Sequence, residues 1–172
     1  MKKSIFIISL PLPPPGSSCI IKANYFEEGA VKLVCLLIGR KGSGKTKRMI
    51  DMANDSVETT DGSIVFINKN HRLMHDLNYR MRVACMEEYE GITNCDEYIG
   101  FIYGIISSDH DIDKIFIDSI LKHANFTISD LPEFLKRLNK ISETYGPDFV
   151  VSISADKEEM GGFDFSGFEI LN

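Results

Sequence analysis

Gly39-Arg40-Lys41-Gly42-Ser43-Gly44-Lys45-Thr46 has the glycine, lysine and threonine spacing G-x-x-x-x-G-K-T of a phosphate-binding loop. Each residue type has a chemical reason to be there. The glycines let the backbone fold around phosphate oxygens with its amides pointing inward, at a helix N-terminus whose dipole favours negative charge. Lys45 is long enough to reach the terminal phosphates, and the Thr46 hydroxyl is a hard oxygen ligand for Mg²⁺. The motif carries meaning only between a strand and a helix. Val34 to Ile38 supply the apolar run before it, and Lys45 to Val57 the helical pattern after it. The expected ligand is a nucleoside triphosphate. All eight residues, Gly39 to Thr46, are its candidate cradle, and Lys45 is a candidate catalytic group.

Such a loop needs a second oxygen ligand to hold Mg²⁺, at the solvent end of a buried strand. Ile115-Phe116-Ile117-Asp118 fits, with three apolar residues followed by an acid. Thr46 and Asp118 are therefore the candidate metal residues. Asp109, Asp111 and Asp113 precede that strand, at its opposite end, and read as solvated loop charges.

The elements that must position these groups follow from hydrophobic periodicity. Apolar runs at about Lys32 to Ile38, Ser63 to Ile67, Met81 to Met86, Lys114 to Ile117 and Phe149 to Ser154 predict five strands. Between them, helical spacing puts Met49, Ile50, Ala53 and Val57 on one face of a first helix. Tyr98, Ile99, Ile102, Ile105 and Ile106 form the face of a second, capped by Asn94 with Glu97 three residues on. Leu131, Phe134, Leu135, Leu138 and Ile141 form the face of a third, capped by Asp130 with Pro132 and Glu133 in its first turn and stopped by Gly146-Pro147. Asn70 to Arg80 predicts a further short helix. The alternation predicts an α/β fold with three layers and a mainly parallel five-stranded sheet. The expected domain spans 31–155, and the glycine-rich tail 156–172 is left undecided.

Composition narrows the function classes. The 172 residues suit one domain, and 44% hydrophobic with 26% charged residues is ordinary for a globular protein. A net charge of −6 gives no strong nucleic-acid signal, which would show as a basic face. Cys19, Cys35, Cys85 and Cys95 form no C-x-x-C pair, so reduced thiols in a cytoplasmic protein are expected. No stretch is long and apolar enough for a membrane span.

Residues 1–30 read differently. Met1-Lys2-Lys3 and the apolar Ser4 to Leu10 begin like a secretory signal, but the stretch is short and runs into Pro11-Leu12-Pro13-Pro14-Pro15. The segment reads as a disordered tail or an artefact of start-site assignment. Glu27-Glu28-Gly29 is what a purine-rich ribosome-binding site encodes, just upstream of Val31, a possible GTG start. Mass spectrometry of the native N-terminus tests this, and a mature chain retaining Tyr25 and Phe26 overturns it.

With Asp118-Ser119 after the fourth strand and Val65-Phe66-Ile67 leading to Asn68-Lys69-Asn70-His71, residues 32–155 resemble the RecA-like P-loop NTPase core. The resemblance implies ATP with Mg²⁺ as cofactors. It also implies the additional-strand topology, in which the fifth strand lies between the loop strand and the Asp118 strand and the second strand lies beyond the latter. Ser152 and Ser154 would then approach the terminal phosphate, Ser154 as a candidate sensor. The core is also similar to small bacterial P-loop proteins often labelled twitching-motility ATPases, without the acidic and histidine-rich boxes of a pilus retraction motor. RecA-like domains commonly oligomerise, so a homo-oligomer with Arg72, Arg80 or Arg137 acting in trans is implied.

The departures bear on activity. RecA-like ATPases polarise water with a Glu at the tip of the second strand, and here that region is Asn68-Lys69-Asn70. Asn70 is the candidate replacement, and a carboxamide orients water but is a poor proton acceptor. The residue after Asp118 is Ser119 rather than Glu, and Glu87 and Glu88 belong to a remote strand. MgATP binding with slow or absent hydrolysis is expected. A non-enzymatic nucleotide-dependent switch and a small-molecule kinase are the alternatives. Asn68-Lys69-Asn70-His71 departs from the guanine-reading N-K-x-D at its last residue. His71 and His75, one helical turn apart, lack a third ligand of convincing spacing and read as surface histidines.

Overall fold

Apolar residues that alternate along short runs, and recur every three to four residues between them, build the strands and helices here. The computed structural model describes residues 34–156 and 158–171. Its strands are β1 (Val34–Ile38), β2 (Ser63–Asn68), β3 (Arg82–Cys85), β4 (Ile112–Ile117), β5 (Asp148–Ile153) and β6 (Glu169–Ile170). Its helices are α1 (Lys45–Thr59), α2 (Cys95–Ser108) and α3 (Leu131–Tyr145). The strands form one sheet in the order β3-β2-β4-β5-β1-β6, and every pairing is parallel. β5 lies between β1 and β4, and β2 lies beyond β4, the order the resemblance implies.

The two sheet faces are covered by different helices. Leu37, Phe66, Phe116 and Val150 point to the face packed by Met49, Ile50, Ala53 and Val57 of α1. Leu36, Ile67, Ile117 and Val151 point to the opposite face, packed by the expected apolar residues of α2 and α3. Three layers result, because parallel crossovers put helices on both sides of a sheet. Phe66 and Phe116, paired in register on β2 and β4, stack with ring centroids 6.1 Å apart.

The sheet has six strands rather than five. β6 comes from the tail that periodicity left undecided, pairing Cys35 with Glu169 and Leu36 with Ile170. Two residues are too few to show a period, and the open edge of β1 decides their conformation. Met160 and Phe168 of the same segment are buried in the α2–α3 side of the core.

The helix expected over Asn70 to Arg80 does not form. A single 3₁₀ turn covers His71–Leu73, and turns follow it. Asn54 of α1 explains why: its Nδ2 donates to Asp76 O at 2.9 Å and its Oδ1 accepts from Asn78 N at 2.8 Å. Those contacts hold the segment's backbone in place of a helical ladder, while Leu77 and Met81 anchor it in the α1 side of the core. The start of α3 also shifts. Asp130 already has helical dihedrals, and its carboxylate accepts from the amide and hydroxyl of Thr127 at 2.8 and 2.6 Å, so the cap sits one 3₁₀ turn upstream. Gly146 (φ 95°) closes α3 as expected.

Candidate functional site

The loop 39–44 runs from the carboxyl end of β1 into α1. Gly42 (φ 86°) and Gly44 (φ 84°) are left-handed, a conformation other residues enter at a cost. Ser43 N donates to Arg40 O at 3.2 Å and Gly39 N to Ile153 O at 3.2 Å, so the loop closes on itself and is tied to β5. Lys45 folds back over it: its Nζ donates to Gly39 O at 2.6 Å, Arg40 O at 2.8 Å and Ser43 Oγ at 3.2 Å. Partial burial pulls this ammonium below the usual lysine range, with Asp118 opposing the shift and Lys122 adding to it. Arg40 points outward, its Nε 2.8 Å from both carboxylate oxygens of Asp156.

Asp118 follows β4 and is buried to 7% exposure. Period two sends it, with Phe116, to the α1 face, where β5 brings Ser152 and the first turn of α1 brings Thr46. The Thr46 hydroxyl donates to Asp118 Oδ1 at 3.0 Å, and the Ser152 hydroxyl to the same oxygen at 2.8 Å. Ser119 Oγ donates to Oδ2 at 3.2 Å. Ser119 is left-handed (φ 56°), and its amide donates to Ser152 Oγ at 2.6 Å. Ser152 thus orients the carboxylate and pins the turn that follows it.

A cleft of about 200 Å³ opens beside this cluster, lined by Thr46, Asn68, Asn70, Asp118, Ser119 and Lys122 among others. The tip of β2 supplies Asn68, 1% exposed, whose Oδ1 and Nδ2 are both buried without a hydrogen-bond partner among the described residues. Burying both ends of a carboxamide unpaired is costly, so the tip of β2 carries an unmet polar demand. Asn70 lines the cleft too, but its Oδ1 accepts from Arg72 N at 3.2 Å and caps the 3₁₀ turn. Ser154 lies just past β5 and is half-buried; the β5 hydroxyl on Asp118 is that of Ser152, two residues earlier.

The structure therefore brings together Lys45, Thr46, Asp118, Ser152 and Asn68. Of the candidate trans arginines, Arg72 lines the cleft, Arg80 lies 3.9 Å from Glu58, and Arg137 is held by Asp96 at the start of α2. Glu87 and Glu88 follow edge strand β3, remote from the loop strand as expected. Asn68 is the group that spacing alone did not single out; its signal is the β2 alternation, which puts Phe66 and Asn68 on the α1 face. The hydroxyl and carboxylate of Thr46 and Asp118 are hard oxygen donors and fit a magnesium ion with retained waters. Among the described residues, no helix is long and apolar enough to cross a membrane. The sequence matches no protein-family model, and no curated protein matches it significantly.

Proposed function

We propose that this chain binds MgATP through a RecA-like P-loop core and hydrolyses it slowly or not at all. The observation that carries this reading is the Thr46–Asp118 contact at 3.0 Å, which joins the end of the G-x-x-x-x-G-K-T motif to an acid at the tip of a central strand. The loop amides and Lys45 would take the triphosphate, with Lys45 exchanging its present carbonyl partners for phosphate oxygens. Thr46 and Asp118 would hold Mg²⁺, which when bound neutralises charge developing on the phosphates. The strand order supports the RecA-like reading, and with it adenine over guanine.

Slow turnover follows from the β2 tip. Two carboxamides at and after the β2 tip, Asn68 and Asn70, line the cleft, and a carboxamide can orient a water but accepts a proton poorly. Titration of the purified chain with ATP and GTP, with and without Mg²⁺, tests the proposal. ATP should bind below millimolar concentration with Mg²⁺ strengthening it, and Lys45→Ala should remove most of the affinity. Binding of neither nucleotide below that concentration overturns it.

A further inference from the structure

The first 3₁₀ turn after β2, whose Arg72 lines the cleft, also gathers two sulfur atoms around the imidazole of His71. Met74 N donates to His71 O at 3.1 Å, closing the turn so that the side chains of residues 71 and 74 stand over one another. Below them, Ala84 and Met86 face the α2–α3 side of the core, so Cys85 faces the turn. Glu87 N donates to Lys69 O at 3.0 Å and clamps the two segments together. His71 Nδ1 consequently lies 3.2 Å from Cys85 Sγ and 2.9 Å from Met74 Sδ.

The other ring nitrogen fixes what Nδ1 can be. Glu88 Oε1 lies 2.6 Å from His71 Nε2, so the neutral ring keeps its hydrogen on Nε2 and presents a bare lone pair at Nδ1. The Cys85 thiol can donate to that lone pair. The Met74 thioether cannot, because it has no hydrogen, and its own lone pairs face the same nitrogen. A carboxylate behind an imidazole whose free nitrogen converges with two sulfurs is the arrangement of a metal ligand and its outer partner.

We propose that His71 Nδ1, Cys85 Sγ and Met74 Sδ form a binding site for a single Cu(I) ion, with Glu88 orienting the imidazole. This does not depend on the triphosphate reading. A thioether and a thiolate are soft donors that select Cu(I), whereas zinc sites use thiolate, imidazole and carboxylate. Metal–nitrogen and metal–sulfur bonds of about 2.0 and 2.3 Å set donors roughly 3.5 Å apart, so these atoms need to separate by about half an ångström. Access is through the half-exposed His71 and Met74, while Cys85 is buried beneath them. Binding forms one bond to each donor and releases the Cys85 thiol proton to solvent. The copper stays Cu(I), so no electron moves.

The test is anaerobic competition for Cu(I) against bicinchoninate, using the full chain with Cys19, Cys35 and Cys95 changed to Ser. One equivalent of Cu(I) per chain should transfer to the protein, and Zn²⁺ should not displace it. Met74→Leu and His71→Asn should each weaken binding at least tenfold, Glu88→Ala by about tenfold, and Cys85→Ser should abolish it. Should Cys85→Ser fail to fold, the half-exposed Met74 and His71 positions still decide. No transfer of Cu(I), displacement by Zn²⁺, or affinity unchanged in both Met74→Leu and His71→Asn overturns the site.

Discussion

The Tyr98 hydroxyl lies 3.0 Å from Nδ1 of His123, and the two rings stack with centroids 5.8 Å apart, both fully enclosed between α2 and the turn after β4. His123 Nε2 is buried with no partner among the described residues, so the pair holds one hydrogen bond and one unmet polar atom. Burial, with Lys122 and then Lys69 nearby, pushes the imidazole down from 6.5 to about 4.

That shift sets a pH dependence of stability. Between pH 6.5 and about 4 the unfolded chain carries a proton on this histidine that the folded chain refuses. Stability should fall as pH drops through that window, by on the order of 3 kcal/mol in total, and this contribution should be flat outside it. Urea midpoints measured from pH 8 to pH 4 check this. His123→Gln should flatten the slope above pH 5, and a native slope left intact in that variant contradicts the assignment.

Ser152 is 0% exposed and bonded on both sides, so its loss should be felt in the fold. Ser152→Ala leaves the Ser119 amide buried without its acceptor and should cost about 1–3 kcal/mol. Asp118→Asn should leave binding of free ATP in place while removing the gain from Mg²⁺, read by calorimetry with and without the ion. A gain from Mg²⁺ that survives Asp118→Asn would place the metal elsewhere.

Asn68 and Asn70 make a paired test of the hydrolysis argument. Asn68→Glu puts a proton acceptor at the tip of β2 facing the cleft, and general-base catalysis is typically worth ~10²–10⁴-fold. Asn70→Glu should be nearly silent in rate, since residue 70 caps the 3₁₀ turn. Phosphate release by both variants, with Lys45→Ala as background, separates them. Equal rates in all chains that still bind MgATP would remove the main support for the RecA-like alignment.

Asn54→Ala should cost about 1–3 kcal/mol, because it removes two side-chain contacts to the backbone at residues 76 and 78. The urea midpoint should fall with an unchanged slope, and limited proteolysis between residues 74 and 80 should accelerate. A variant with native stability and native cleavage would mean that Leu77 and Met81 suffice to hold the segment.

Much of the fold was legible because its signals are periodic. The inward residues of all three helices, and the acid after Ile115-Phe116-Ile117, are set by spacings of 3.6 and 2 that local sequence carries in full. What escaped was decided by partners distant in the chain. Asn70 to Arg80 reads as a short helix, but Asn54 of α1 bonds its backbone at residues 76 and 78. Thr127 takes the cap expected of Asp130, because a 3₁₀ turn extends the helix start. At the site, the spacing of Lys45, Thr46 and Asp118 was readable. Asn68 and Asn70 both line the cleft, and that Asn70 also caps the 3₁₀ turn needed the fold of the segment after β2, which spacing does not carry.

The position of β1 has a consequence for synthesis. Val34 to Ile38 are bonded on one side to Phe149 through Ile153 and on the other to Glu169 and Ile170, all of them translated far later. Until β5 leaves the ribosome, this apolar strand has neither neighbour, and the glycine loop has no Ile153 carbonyl to rest on. Contacts between such distant segments form late, and an apolar strand with two unpaired edges invites pairing with other chains. The glycine loop is thus made well before the strand it rests on, and its final shape waits for that strand.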